Sequence, residues 1–364
     1  MTTHSWMIYG AYGFTGGLIL EEALRRGHKP IVAGRDGRRL TDLAQRHGLD
    51  SQALSLDDPA GLRAAIRGRD LVVNAAGPFS ETAPYLIDAC LDTGSAYVDV
   101  SGEFHHLKFV ETLDARAKQA GVALLTGAGF GVTYGDGLAR YALDRLPNAT
   151  RLRLSVAATN AQVTPTVQRT IVSVLARGGY AVEGGRFRSR PLAHQRWTIR
   201  ATPSEVAFAA APLGELAALR RSTGVADIVV GRPLPTGEAR ALRLLSPLVQ
   251  GALAVPAIRR FASRDRGDRP APAPTPAGGW RSRIWAEACN DHGDSVLVQL
   301  ETGEGYAATA EAALVNIEAV LAQRPEGAFT PGLAFGARHL ASLPRVRITN
   351  LDPKSGHPVE KIVA

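Results

Sequence analysis

"MIYGAYGFTGGLILEEALRRGHKPIVAGRD", residues 7–36, joins a short apolar run to a helical pattern through a glycine-rich turn. Gly10, Gly13 and Gly16 form the pattern GxxGxxG. Glycines at such a turn permit tight curvature and close approach of the backbone to a phosphate, and the N–H groups of the following helix then face the anion. The stretch predicts a dinucleotide-binding β–α–β unit, with a purely structural glycine turn as the alternative.

Short apolar runs continue to alternate with helical patterns as far as about residue 130. We expect helices that start near Phe14, Pro59, Ala83 and His105. Strands alternating with helices are typical of a Rossmann-type doubly wound parallel sheet in an α/β protein. The predicted strand segments are WMIYG (6–10), PIVAG (30–34), ALSL (53–56), LVVNAAG (71–77), AYVDVSG (96–102) and VALLTGAG (122–129).

The pattern changes after about Thr150, where alternating strands of a more antiparallel sheet are interleaved with helices. This predicts a second, α+β domain. Residues 263–279 are rich in Pro, Ala and Arg, which favours a surface loop, a linker or a lid. The predicted strand segments are TRLRLSVAAT (150–159), QRWTIRA (195–201), VADIVVG (225–231), SRIWAEACN (282–290) and SVLVQLET (295–302).

The composition of the 364 residues, 45% hydrophobic and 21% charged, is that of a globular protein. A net charge of +8 could suit nucleic acid, but the arginines are scattered and no DNA- or RNA-binding module is present, so we expect no nucleic acid partner. With only Cys90 and Cys289, neither a disulfide framework nor a metal site is expected.

The chain starts directly with its first strand, which leaves no room for a signal peptide, so a cytoplasmic location is expected. The most apolar later stretch, residues 241–262, contains Arg243, Pro247 and Pro256 and has too short an uncharged run to cross a bilayer. We therefore expect no transmembrane span. Such a stretch could lie on a membrane surface or line a pocket, since both uses require an apolar helical face.

Cofactor selection is predicted from the end of the second strand. An acid about 20 residues after the glycine turn binds the ribose 2′-hydroxyl of NAD, whereas an arginine accepts the 2′-phosphate of NADP. Here that position is Arg35, with Arg38 or Arg39 in support. A guanidinium can pair with a phosphate bidentately, so the sequence favours NADP(H). The alternative is an ordinary solvated arginine at a strand end.

Two further loops follow predicted strands at the edge of the sheet where ligands bind in such folds. The small residues of NAAGPF (74–79) would let the diphosphate and ribose lie against the backbone, and LDDP (56–59) would border the adenine. The predicted cofactor-binding residues are Gly10, Tyr12, Gly13, Phe14, Thr15, Gly16, Arg35, Asp57, Asn74, Ala75, Ala76, Gly77 and Pro78.

Six motifs along the chain carry a family resemblance: GAYGFTG, AGRD, NAAGPF, AYVDVSGE, GAGF…GDGLA and GAFTPGLAFGARHLASLP. Together they resemble the saccharopine dehydrogenase-like NADP-binding oxidoreductases, in particular the bacterial branch that includes trans-acting enoyl reductases. The resemblance implies hydride transfer with NADPH. It also implies an NADP-binding Rossmann domain at 1–130, an α+β substrate or dimerisation domain at 131–330 and a segment, 331–364, that returns to the Rossmann domain.

The chain departs from the family pattern at GFGVTYGD (129–136), where Gly131 and Tyr134 replace an acid and a proline. Tyr134 is our first candidate for a proton donor, because a phenol can protonate or hydrogen-bond an enolate or oxyanion. Tyr97 and His105 are the further catalytic candidates. None of the eight tyrosines has a lysine four residues later, which disfavours the short-chain dehydrogenase mechanism.

Other polar side chains near the predicted nicotinamide site receive structural interpretations. We expect His105 and His106 to be exposed at a helix start, Asp99 to cap the loop that follows it, and Asp136 to cap a helix. Glu103 also belongs to these loops.

The leading functional hypothesis is an NADPH-dependent reductase of an activated C=C or C=N bond in a biosynthetic intermediate. The alternatives are a saccharopine-type amino-acid dehydrogenase and an NADP(H)-binding sensor without turnover. The apolar stretches 206–219 and 241–262 indicate a small or carrier-bound apolar substrate, although buried core helices look identical. A homodimer is left open. An arginine cluster suited to a polycarboxylate substrate, or equally a solvated strand face, is formed by Arg186, Arg188, Arg190 and Arg196.

Overall fold

A computed structural model describes the protein over residues 4–158, 171–172, 174–201, 204–262 and 282–363. The chain divides into two compact units, each built from two segments. The stretch 263–279, predicted as a loop, linker or lid, lies outside the described residues. The first unit contains Met1–Thr133 and Tyr306–Ala334, and the second contains Tyr134–Gly305 and Phe335–Ala364.

This division corrects the expected place of the C-terminal segment. Residues 306–334, not 331–364, return to the first unit. The reason is strand pairing: Gly327–Phe329 pairs with a strand of the first sheet, whereas Arg347–Leu351 and Pro358–Val363 pair within the second.

The first unit contains a seven-stranded, fully parallel sheet in the order β15-β6-β5-β4-β1-β2-β3. The order reverses between β1 and β4, and ligands bind beside the carboxyl ends of strands at such a switch point. The Rossmann-type fold is therefore confirmed. The strands, numbered in chain order, are β1 (Trp6–Tyr9), β2 (Ile31–Gly34), β3 (Ser51–Ala53), β4 (Leu71–Asn74), β5 (Ala96–Asp99), β6 (Ala123–Leu125) and β15 (Gly327–Phe329).

One predicted strand is displaced. We expected residues 53–56, but β3 pairs with β2 through Ser51–Ala53. The side chains of Leu54 and Leu56 pack into the core beyond the strand end, so their apolar character reports burial and not strand pairing.

Seven helices lie between residues 14 and 143. The predicted starts at Phe14 and Pro59 are confirmed, whereas the helix expected near Ala83 begins at Phe79. The helices are α1 (Phe14–Arg25), α2 (Gly37–His47), α3 (Pro59–Ile66), α4 (Phe79–Thr93), α5 (Phe104–Glu111), α6 (Asp114–Gln119) and α7 (Phe130–Leu143), the last of which contains the division between the two units.

The second unit contains a ten-stranded mixed sheet, which confirms the α+β expectation. Its main path is β10-β11-β12-β7-β13-β14-β16-β17, with β8 beside β12 and β9 beside β8. Its pairs are antiparallel except for β12 with β7. The strands are β7 (Arg151–Ala157), β8 (Gly179–Glu183), β9 (Arg186–Arg190), β10 (Arg196–Ala201), β11 (Ser204–Ala210), β12 (Asp227–Pro233), β13 (Ser282–Cys289), β14 (Ser295–Thr302), β16 (Arg347–Leu351) and β17 (Pro358–Val363).

The later helices differ sharply in burial. In the stretch 206–219, Phe208, Leu216 and Leu219 are buried, so this apolar run is core. The stretch 241–262, by contrast, has several exposed leucines. The helices are Gly214–Thr223, Thr236–Ala254, Pro256–Ala262, Gly305–Gln323 and Pro331–Phe335, with a 3₁₀ helix at Ala337–Ser342.

Candidate cofactor site

The glycine turn between β1 and α1 has no room for side chains at two positions. A Cβ on Gly16 would lie 2.2 Å from the carbonyl oxygen of Gly10, and one on Gly10 would lie 2.9 Å from Cβ of Ala76. Gly10 also has a φ of +86°, which favours glycine. The lack of space explains why Gly10 and Gly16 are glycines. The turn itself is closed by a hydrogen bond of 2.9 Å from the N–H of Gly13 to the carbonyl of Gly10.

The start of α1 is suited to an anion. Its N-cap residue is Gly13, and in this part of the structure no side chain caps the helix and no acid lies in its first turn. The backbone N–H groups of Phe14, Thr15 and Gly16 therefore form the positive end of a twelve-residue helix. This arrangement matches the predicted cradle for a diphosphate.

The loop after β4 is held in place by Asn74. This buried amide accepts from the N–H of Ala76 at 3.0 Å and donates to the hydroxyls of Thr82 at 3.0 Å and Tyr97 at 3.1 Å. The N–H of Ala75 donates to the carbonyl of Tyr9 at 2.9 Å. The loop 74–78 thus runs beside the glycine turn, and the small side chains of Ala75, Ala76 and Gly77 keep its backbone open to a ligand.

The end of β2 is basic. The guanidinium carbon of Arg39 lies 4.6 Å from the centroid of the Tyr12 ring, and the N–H of Asp36 donates to the Tyr12 hydroxyl at 3.3 Å. The Asp36 carboxylate accepts from the N–H of Arg39 at 3.1 Å and so caps α2. Arg35 is exposed. The acid next to Arg35 is therefore engaged in the helix cap, while two guanidinium groups remain beside the predicted adenosine site.

A buried polar atom points to a ligand at the same edge of the sheet. The Tyr9 hydroxyl is buried and has no hydrogen-bond partner among the described residues. Burial raises the pKa of Tyr9. The charge of Arg35 partly offsets this increase, whereas the charge of Asp57 adds to it. The hydroxyl therefore lies within electrostatic reach of two predicted adenosine-site residues. A dinucleotide would supply the missing partner, so the residues fit the cofactor.

A second polar cluster lies at the carboxyl end of β5, and it corrects the expectation that His106 is exposed. His106 and Asp99 are fully buried, with Nε2 of His106 2.6 Å from Oδ2 of Asp99. The other carboxylate oxygen accepts from the N–H groups of Ser101 at 3.0 Å and Gly127 at 3.1 Å, and from the Thr126 hydroxyl at 2.9 Å.

Asp99 therefore does more than cap one loop. Burial by itself would raise the pKa of Asp99, but His106 and the N–H groups of Ser101 and Gly127 hold that pKa below its usual value. The resulting carboxylate joins the loop after β5, the loop after β6 and helix α5. Ser101 and His106 follow Asp99 within seven residues, whereas Thr126 and Gly127 reach it only because β5 pairs with β6.

Glu103 also has a structural role. Its carboxylate accepts from the N–H groups of Phe79 at 3.0 Å and Ser80 at 3.3 Å. It thereby satisfies the first N–H groups of α4, which explains why that helix begins four residues before the predicted Ala83.

The three catalytic candidates occupy different environments. Tyr97 is a core residue, and burial raises the pKa of its phenol well above the usual value. His105 is half-buried on the first turn of α5, 5.1 Å from the Phe104 ring between centroids. Tyr134 is fully buried on α7 and belongs to the second unit. The first unit thus contains Tyr97 and His105 but not Tyr134.

Asp136 is not a helix cap, contrary to expectation. It lies inside α7, is fully buried and accepts from the Ser222 hydroxyl within the second unit. In the described part of the chain, no group of three or more His, Cys, Asp or Glu side chains could hold a metal ion. No described helix has both the length and the apolar character needed to cross a bilayer.

Residues 6–125 match the family model of the saccharopine dehydrogenase NADP binding domain. The first unit contains a saccharopine dehydrogenase NADP-binding domain. The expected kinship with saccharopine dehydrogenase-like oxidoreductases and the choice of NADP(H) as the cofactor are both confirmed.

Two curated relatives show how far the similarity extends. A probable mitochondrial saccharopine dehydrogenase-like oxidoreductase of Arabidopsis thaliana is 31% identical over 147 residues, covering 35% of this chain and 32% of the relative. The trans-acting enoyl reductase of Mycobacterium leprae is 31% identical over 134 residues, covering 34% and 32%. The matches therefore span about a third of these relatives.

One solved structure resembles nearly the whole chain. Saccharopine dehydrogenase (L-Glu forming) of Saccharomyces cerevisiae superposes with a TM-score of 0.63, covering 96% of this chain and 100% of that one at 11% identity. At this identity the likeness concerns the fold alone. It shows that the fold of this chain is also found in a solved dehydrogenase structure.

Proposed function

We propose that this protein is an NADPH-dependent reductase of an activated double bond, an enoyl C=C or an imine C=N, in a biosynthetic intermediate. The observation that supports the proposal is the basic end of β2 in the NADP-binding domain, where Arg35 and Arg39 flank a carboxylate that is already engaged in capping α2. The trans-acting enoyl reductase among the relatives supports the C=C variant.

The residues of the first unit would hold and orient the cofactor. The start of α1 would hold the diphosphate, and the loop fixed by Asn74 would lie along it. Asp99 would hold the loops after β5 and β6 beside the nicotinamide. When bound, NADPH supplies the hydride that the electron-poor carbon of the double bond accepts.

Tyr134 stays our candidate for the proton donor. This phenol lies one turn into α7 and is fully buried, so bulk water would not compete with it. Tyr97 is less suited. Its hydroxyl accepts a hydrogen bond from the Asn74 amide within the core, and its raised pKa makes the phenol a weaker acid near neutral pH. His105 remains the alternative donor.

The substrate we favour is apolar and small or carrier-bound. A saccharopine-type substrate carries several carboxylates and would require converging arginines. Arg186, Arg188 and Arg190 instead lie exposed on one strand, and Arg190 pairs with Glu183. This arrangement supports the solvated strand face over a carboxylate site.

The test is NADPH oxidation, followed by absorbance, with a panel of enoyl thioesters, enones and imines. We expect turnover of at least one class, and a loss in kcat of about a hundredfold or more for Tyr134→Phe with NADPH affinity unchanged. Tyr141→Phe on the same helix, where the hydroxyl pairs with Arg145, is the matched control and keeps its activity.

Two results would contradict the proposal. Tight NADPH binding without turnover of any substrate class would favour a cofactor-binding sensor. Turnover that is equal in wild type and Tyr134→Phe would remove Tyr134 from the mechanism, and His105→Asn would then test the alternative donor.

A further inference from the structure

The second unit presents an unusual apolar surface on two consecutive helices, Thr236–Ala254 and Pro256–Ala262. Of the ten large hydrophobic side chains that are exposed among the described residues, six lie between positions 244 and 261. Leu244 is 79% exposed, Leu248 70% and Phe261 63%, and the others are Leu245, Val255 and Ile258. Exposed apolar residues are common singly, but a contiguous group marks an interaction surface.

The longer helix buries a narrow face against its own unit and leaves several leucines exposed. Its buried face carries Ala239, Ser246 and Leu253. Ser246 accepts from the N–H of Leu192 at 3.0 Å and from the Gln250 amide at 2.7 Å. A helix that only covered its own domain would bury Leu244 and Leu248 and expose Ser246 and Gln250. Burial within this unit therefore does not account for Leu244 and Leu248.

The charges around this surface identify the kind of partner. Residues 244–258 contain no charged side chain, whereas Arg240 and Arg243 precede the run and Arg259 and Arg260 follow it. Glu238 is the one acid in residues 236–262. Arg240 and Arg243 are exposed. A second copy of the chain would bring these arginines together with their equivalents, so the charge pattern favours an anionic partner.

We propose that the helices Thr236–Ala254 and Pro256–Ala262 bind the surface of a phospholipid membrane that contains anionic headgroups. A helix of 19 residues is about 29 Å long and would lie parallel to the surface. Its leucines would enter the boundary between headgroups and acyl chains, and the exposed Arg240 and Arg243 would reach the phosphates. This inference is independent of the reductase activity.

The test is sedimentation of the full chain with phosphatidylcholine vesicles that contain or lack phosphatidylglycerol. We expect binding to the anionic vesicles, reduced by about tenfold or more in the double variant Leu244→Gln/Leu248→Gln. Val359→Gln is the matched control, since Val359 is 72% exposed in the same unit, and it keeps wild-type binding. Because the glutamines replace exposed side chains, circular dichroism and NADPH affinity stay unchanged.

A second variant separates the role of charge. Arg240→Glu/Arg243→Glu should lose the preference for anionic vesicles, and added salt should weaken wild-type binding to them. Folded wild-type protein that binds neither kind of vesicle would overturn the proposal. So would light scattering that shows a dimer dissociated by Leu244→Gln/Leu248→Gln without any vesicle binding, because the surface would then belong to a second copy of the chain.

Discussion

Arg39 lies against the face of Tyr12, with 4.6 Å between the guanidinium carbon and the ring centroid. The same ring occupies the space beside Gly34, where a Cβ would lie 2.7 Å from Cε1 of Tyr12. Tyr12 in the glycine turn and Arg39 in α2 are thus brought together at the end of β2. A guanidinium held on an aromatic face keeps its N–H groups available for a phosphate.

Arg39→Ala should weaken NADPH binding by about tenfold or more, because a charge-assisted contact with the 2′-phosphate is lost, and it should leave NADH binding nearly unchanged. Calorimetry with both nucleotides checks this. Arg46→Ala, at an exposed position in the last turn of the same helix, is the control. Arg35→Asp should show the same selective loss, and equal losses for NADPH and NADH would mean that neither arginine contacts the phosphate.

Gly16→Ala should abolish tight NADPH binding and destabilise the fold by about 1–3 kcal/mol, because its Cβ would meet backbone that cannot move aside cheaply. The neighbouring Gly17→Ala has only the Ala11 carbonyl at 3.9 Å and should be tolerated, with a gain of about 0.5–1 kcal/mol in helix stability. Urea unfolding and calorimetry measure both effects. Equal behaviour of the two variants would contradict the close-packed turn.

Asp99→Asn should lower the free energy of unfolding near neutral pH by about 3 kcal/mol, because it leaves His106 and several donors without their buried carboxylate. Asp92→Asn removes an exposed ion pair with Arg63 and should change stability by less than about 1 kcal/mol. Urea unfolding compares the two.

The pH dependence of Asp99 follows from the direction of its shift. Its pKa in the folded state lies below the usual 3.8, so its stabilisation is complete above that value and is lost as pH falls through the folded pKa. In Asp99→Asn this acid-induced loss should be smaller than in wild type. If the loss of stability at acid pH is the same in Asp99→Asn and in wild type, Asp99 is not its source.

His339 should produce a pH dependence in a different window. Burial lowers the pKa of His339 from 6.5 to about 4, so the unfolded chain binds a proton at higher pH than the folded one. Stability should fall as pH decreases from 6.5 toward 4. His339→Phe, which can keep the ring contact with Phe335 at 4.6 Å, should flatten this part of the profile. Thermal unfolding across that range measures it, and a persistent slope would assign it to another group.

Sequence patterns predicted the elements whose signals are local. The glycine turn, the strands on either side of it and the cofactor phosphate preference each depend on residues within about 30 positions of one another, as in any β–α–β unit. The prediction was wrong where a pattern had two meanings. Leu54 and Leu56 were predicted to be strand residues, and His105 and His106 were predicted to be exposed. A local pattern indicates whether a side chain is apolar or polar, but not which part of the structure it packs against.

The sequence by itself determined a doubly wound NADP-binding sheet followed by a mixed-sheet domain, because apolar periodicity and glycine spacing are set by steric rules within one β–α–β unit. Only the tertiary structure decided that Gly327–Phe329 joins the first sheet, that Asp99 meets His106, and that Leu244 and Leu248 face outward. These outcomes depend on how helices and strands pack in the folded chain, where the free energy of burial is shared among many residues and no short stretch of sequence records it.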